Sequence, residues 1–309
     1  LRKIFIFAFI IRNVEGNVYM TKEKKILWFD FENAPHVWVL KEIMNYFKEK
    51  NEVIITARNY GYTYKLCDLL NFKYVKINTG KSRISNAGKL LSVVQRGIRL
   101  KKYLEDIKIR PDIAISHGSR SQGLAAYLMK IKTISLDDFE NSFKGFNFFV
   151  DKILTPFPIK PESWGRFHKK VINYPGLKEE LYLWNKENLN IEEFEFINKS
   201  DINIIFRPQS NSSHYANEKS VYLEKKILEK FKEGKKINVI LFPRDNKQQK
   251  ESEKYFVENN IKYHIPQGVI NGPSLISCCD LLISGGGTMA REASVLGIPS
   301  YSFFSGNLG

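Results

Sequence analysis

Cysteine is scarce and poorly placed for chemistry. The 309 residues include three, Cys67, Cys278 and Cys279, with no CxxC spacing. Adjacent cysteines rarely bridge, so no disulfide scaffold and no metal site are expected, and the chain reads as cytoplasmic. Familiar nucleotide and hydrolase loops are missing too. No GxxxxGK[ST] occurs, which argues against a P-loop nucleotidase, and no GxGxxG follows the first strand, which weakens an NAD reading. No GxSxG elbow is present, which argues against an α/β-hydrolase. The apolar run Ile4–Ile11 is too short to span a bilayer. Acidic residues are in deficit, 33 against 48 Lys and Arg, for a net charge of +15. That balance favours an anionic partner, although lysines spread along the chain also make an ordinary solvated surface.

Hydrophobic content of 43% marks a globular chain, and 309 residues suit two domains. From Ile26 onward, apolar runs alternate with amphipathic segments, a βαβα rhythm that predicts doubly wound parallel sheets. The rhythm breaks near 151–200, where Pro156, Pro158, Pro161 and Pro175 fall within twenty residues, and then resumes. The expectation is α/β, two tandem Rossmann-like domains with a cleft between them. Residues 1–19 are read as a non-core extension before Met20. An N-terminal domain then covers 20–175, and a C-terminal domain covers 176–309, the latter cut short at its C-terminus.

The most informative stretch is Leu281 to Leu296. A short strand ends in Ser284-Gly285-Gly286-Gly287-Thr288 and leads into a helix carrying Glu292. A helix N-terminus presents backbone N–H groups and partial positive charge to a phosphate. The glycines are expected to permit close approach and positive φ. Arg207 and Arg244, each just after a strand, are candidate anion ligands. A tight ligand-free turn is the plainer alternative.

Ligands of open α/β sheets bind beyond the carboxyl ends of the strands. Asn33 and His36 follow the first strand there, His117 and Ser119 the fourth, Asp137 and Asp138 the fifth. A histidine near neutral pH can serve as a general base, so His36 is the first candidate and Asp138 the second. Asn33, His117, Ser119 and Asp137 are placed on the acceptor side. Capping or packing explains several of them equally well, Ser119 as a helix N-cap above all.

Tandem Rossmann-like halves, a proline-rich joint and a late glycine turn resemble the GT-B glycosyltransferase architecture. More closely, the chain resembles predicted glycosyltransferases of domain of unknown function 354. The resemblance rests on Asp30 with Asn33-Ala34-Pro35-His36, Thr56-Ala57-Arg58, Tyr174 through Glu180, Phe206-Arg207-Pro208, and Ser284 through Ala293. The last segment also looks like the donor site of the bacterial enzyme that adds N-acetylglucosamine to a lipid-linked peptidoglycan precursor. That likeness implies Ser284–Thr288 on a diphosphate, Glu292 on a ribose and His36 on the acceptor side. It further implies a nucleotide-diphosphate sugar, a UDP-sugar first, as substrate, with no cofactor and no metal. The partner is then a glycan or lipid-linked acceptor.

Nonhydrolysing UDP-N-acetylglucosamine 2-epimerases share the architecture and supply the alternative activity. This chain departs from their His-Val-Glu-Ala-Gly run, with Ser135-Leu136-Asp137-Asp138-Phe139 in its place. A third reading is a non-catalytic nucleotide-sugar or nucleic-acid-binding protein, which needs stacking aromatics among basic residues. Phe143, Phe146, Phe148 and Phe149 beside Lys144 are the candidates. They are taken instead as a contact for an acceptor lipid or an anionic membrane surface, without nucleic acid.

Overall fold

A computed structural model describes residues 24–79, 86–141, 143–183, 194–209, 218–268 and 270–303, together with Phe9. These fall into two compact units that divide between Trp184 and Asn185. Unit 1 contains β1 (Ile26–Phe31), α1 (Ala34–Lys48), β2 (Glu52–Ala57), α2 (Thr63–Leu69), β3 (Val75–Lys76) and α3 (Asn86–Asp106). It continues with β4 (Ile113–His117), α4 (Arg120–Leu128), β5 (Lys132–Leu136), β6 (Lys152–Pro156), β7 (Val171–Tyr174) and α5 (Glu180–Leu183). Unit 2 contains β8 (Ile202–Arg207), α6 (Glu218–Glu233), β9 (Ile237–Leu241), α7 (Asn246–Glu258) and β10 (Tyr263–His264). Then come α8 (Gly272–Ser277), β11 (Leu281–Ser284), α9 (Gly287–Leu296) and β12 (Ser300–Ser302).

Each unit is a parallel sheet with a reversal of strand order. Unit 1 runs β3-β2-β1-β4-β5-β6-β7 and unit 2 runs β10-β9-β8-β11-β12. Strands covered on both faces read as near-continuous apolar runs, as β1 does in Ile26-Leu27-Trp28-Phe29, all but Ile26 fully buried. In α1, Leu40, Ile43, Met44 and Phe47 recur at helical spacing and are buried. Asn33 Oδ1 accepts from Ala34 N at 2.9 Å at its start, and Pro35 occupies the first turn. Gly297 ends α9 in the left-handed region, φ 80°. The order reverses between β1 and β4 and again between β8 and β11, so each unit has one switch point where a ligand site is expected.

Two expectations need correction. Residues 151–200 are not simply a joint, because β6 and β7 extend the first sheet to seven strands. Their crossover, Pro161–Lys170, is 3-10 rather than α-helical, so it lacks the 3.6-residue period, though Trp164 and Phe167 bury on it. The unit boundary also lies later than Pro175: α5 buries Leu181, Tyr182 and Leu183, and Tyr182 stacks on Trp38 of α1. Residues 1–8, 10–23, 184–193 and 304–309 lie outside the described residues. Among the described residues no helix is long and apolar enough to cross a membrane.

Candidate functional site

Unit 1 places a buried charge network under its switch point. Asp30, inside β1, is fully buried, and so is Arg96 of α3. The Arg96 guanidinium donates to both Asp30 oxygens, at 2.8 and 2.7 Å, to Glu32 Oε1 at 3.1 Å and to the Ile77 carbonyl at 3.0 Å. Thr56 donates to Asp30 Oδ1 at 2.6 Å while accepting from Trp28 Nε1. Ser119 donates to Asp30 Oδ2 at 2.5 Å and accepts from Gln122 N at 3.2 Å. Asp30 thus accepts four hydrogen bonds, which a buried carboxylate needs. Burial works against the Arg96 charge, but Asp30 overrides it and pushes its pKa up. Ser119 is consequently a buried N-cap that holds Asp30, and its acceptor-side assignment is withdrawn.

Above this network lies a second cluster. His36, in the first turn of α1, faces His117 at the end of β4, with ring centroids 4.7 Å apart. Asp138, just past β5, lies 3.4 Å from His117 Nε2, a charge contact outside hydrogen-bond geometry, and 2.7 Å from Lys178 Nζ. His36 Nδ1 is buried and has no hydrogen-bond partner among the described residues. Burial, reinforced by His117 and Lys178, holds the His36 pKa well below the ordinary histidine value. His36 is therefore neutral through the neutral range rather than titrating there. Burial alone would raise the Asp138 pKa, but His117 and Lys178 together hold it well below the usual carboxylate range. Such a carboxylate is a weaker base than an ordinary one, and its 2.7 Å contact makes it the charge partner of Lys178. Asp137 behaves oppositely, since burial pushes its pKa up. Asn33 serves as the cap of α1.

In unit 2, β8 and β11 are neighbours, with Arg207 opposite Ser284. Gly285 N donates to the Arg207 carbonyl at 2.9 Å, and Gly286 N to Ser284 Oγ at 3.0 Å. None of the three glycines has positive φ, contrary to expectation. What matters is the missing Cβ. On Gly285 a Cβ would stand 2.7 Å from Gln209 Cα, so the turn packs directly on the β8 loop. On Gly286 it would stand 2.8 Å from an Arg244 terminal nitrogen, and on Gly287 2.7 Å from one of Arg291. Arg207 Nη1 lies 3.4 Å from Met289 Sδ in the first turn of α9. Arginines 207, 244 and 291 therefore gather around one helix N-terminus, where Thr288 follows the exposed Gly287. Arg244 is oriented by Nε donating to the Pro208 carbonyl at 3.1 Å. Glu292 lies deeper, only 7% exposed. Arg291 lies within the Ser284–Ala293 motif but was not among the candidate anion ligands. Its place four residues after Gly287, one helical turn on, is the signal that could have found it.

Parallel sheets with a switch point in each unit, and a glycine turn ringed by arginines in the second, define the class: a GT-B-like fold of the kind found in nucleotide-sugar enzymes. The chain belongs to the family described as Protein of unknown function (DUF354), which it matches over residues 25–309. It is 28% identical to uncharacterized protein MJ0665 of Methanocaldococcus jannaschii, covering 90% of this chain and 81% of that one. In fold it is similar to UDP-GlcNAc 2-epimerase from Neisseria meningitidis bound to UDP-GlcNAc. The TM-score is 0.70 at 18% identity, over 90% of this chain and 82% of the other. The Methanocaldococcus jannaschii UDP-GlcNAc 2-epimerase in complex with UDP-GlcNAc and UDP gives 0.67 at 18% identity, over 89% and 83%.

Proposed function

We propose that the protein is a glycosyltransferase that takes a sugar from a nucleotide-diphosphate donor. The observation that carries this is the gathering of Arg207, Arg244 and Arg291 at the N-terminus of α9, over a turn without side chains. Helix-end N–H groups and guanidinium groups there would stabilise the charge that develops on a departing diphosphate. Neutral His36 would take the proton of an acceptor hydroxyl as its oxygen bonds to the anomeric carbon and the diphosphate leaves with its electron pair. A UDP-sugar is the first donor to test, because the solved relatives in fold carry UDP-GlcNAc.

A second reading, 2-epimerisation of a nucleotide sugar, is favoured by Asp137. Burial pushes its pKa up, which suits a carboxyl group exchanging a proton with a sugar carbon. A thermal-shift screen with UDP-, GDP-, ADP- and CDP-sugars identifies the donor, and incubation in deuterated water separates the activities. Deuterium entering C2 of the sugar without any acceptor would establish epimerisation. Release of the nucleoside diphosphate only when an acceptor is added would establish transfer. No stabilisation by any sugar nucleotide would sink both. Turnover should survive EDTA, since the arginines can supply the charge compensation; loss that magnesium restores would contradict this.

Gly286→Val should abolish donor binding with little loss of stability. Its extended backbone accepts any residue, and the clashing Arg244 terminus can swing away, taking its charge off the turn. Calorimetry showing undiminished affinity in a folded variant would refute the assignment. Gly285→Ala makes the contrast: its Cβ meets backbone, so a loss of about 1–3 kcal/mol is expected.

Peripheral contact with anionic lipid is also proposed. Phe143 and Phe148 are exposed, Tyr127 packs on Phe148 and Phe149, and Arg120 lies over Phe146. Each basic residue near such a surface contributes roughly 1 kcal/mol, screened by salt. Co-sedimentation with phosphatidylserine vesicles at low salt should fall in a Phe143→Ala/Phe148→Ala variant, and equal binding to neutral vesicles would rule out the charge contribution.

A further inference from the structure

Lys178 is a buried cation supplied by a turn outside the regular strand–helix alternation. Gly176 N donates to the Tyr174 carbonyl at 2.9 Å, and the Glu180 carboxylate accepts from Leu177 N at 2.8 Å. These bonds bend the chain after β7 and aim residue 178 back across the carboxyl edge of the sheet. Its side chain is 8% exposed, with Nζ 2.7 Å from Asp138 Oδ2 and 4.0 Å from Glu179 Oε1. Asp138 in turn faces His117, whose ring packs against His36. The chain of contacts is Lys178, Asp138, His117, His36, drawn from four separate segments.

We propose that Lys178 is a positioning residue, whose ion pair with Asp138 sets how the His36–His117 ring pair is held and charged. This rests on the reading of His36 as the base. The charged and titratable groups acting on His36 are His117 from the end of β4, Asp138 from the end of β5, Lys178 from the turn after β7, and Arg96 from α3. Asp138 favours a proton on His36, whereas Lys178 opposes it both directly and by neutralising Asp138.

The chain contains five histidines, few enough to follow individually by imidazole NMR in the protein without substrate. Lys178→Met should raise the His36 midpoint by roughly one pH unit or more. Asp138→Asn should lower it, and Lys178→Arg should leave it close to the wild-type position. An unmoved or lowered midpoint in Lys178→Met, or an equal rise in Lys178→Arg, would overturn the proposal. If Lys178→Met does not fold, Asp138→Asn decides alone: a midpoint that fails to fall rejects it. Turnover assays are separate, so absence of transferase activity would defeat the functional reading and leave this result standing.

Discussion

His36→Ala is expected to slow turnover by roughly 100- to 10,000-fold while leaving nucleotide-sugar affinity unchanged. The imidazole lies at the switch point of unit 1, its Nδ1 buried and unpartnered among the described residues. A base in this setting is already unprotonated, since burial, His117 and Lys178 depress its pKa. The acid limb of the pH–rate profile should therefore fall below the ordinary histidine value of about 6.5 rather than at it. The same depression has a cost in stability. Below about pH 6.5 the unfolded histidine binds a proton that the folded one refuses, so stability is lost progressively as pH falls. Steady-state kinetics across pH test the rate and its acid limb, and urea denaturation across the same pH range tests the stability. A variant with full turnover on the true acceptor, or one that loses donor affinity instead, would remove His36 from the role of base.

Arg96→Met should destabilise unit 1 by about 3–5 kcal/mol, because it strands the Asp30 charge in a fully buried position. Asp30→Asn combined with Arg96→Met should recover part of that loss, as no buried ion is then left unpaired. All four tryptophans, Trp28, Trp38, Trp164 and Trp184, precede residue 185, so their fluorescence during urea denaturation reports on unit 1. A single variant within about 0.5 kcal/mol of the parent would show that the network does not carry the stability assigned to it.

Much of this architecture was legible because it is local. Apolar runs mark β1, β4 and β11, and a glycine cluster marks the turn before α9. Where the expectation failed, the information was long-range or the period was absent. The strands β6 and β7 are short, carry or border prolines, and flank a 3-10 crossover with no helical repeat. Arg96 interrupts a buried ladder of Ser92, Leu100 and Leu104, but its partner lies 66 residues away and left no trace beside it. Lys178 stood within a recognisable motif, yet its role depends on Asp138, a residue that only the folded sheet brings near. The glycines were expected to permit both close approach and positive φ, and only the second expectation fails. Their value is absent volume against Gln209, Arg244 and Arg291, not unusual backbone angles.

The Asp30 network also constrains how the chain assembles. Its carboxylate is satisfied by residues 56, 96 and 119, the last 89 positions downstream. Until Ser119 has arrived, drying out β1 would leave an ion only partly compensated, which favours late desolvation of the centre of this sheet. Interactions completed after the rate-limiting barrier act mainly on the way out of the native state. Arg96→Met should therefore accelerate unfolding far more than it slows refolding in stopped-flow experiments, making this ion cluster a latch on the folded state rather than a seed for it.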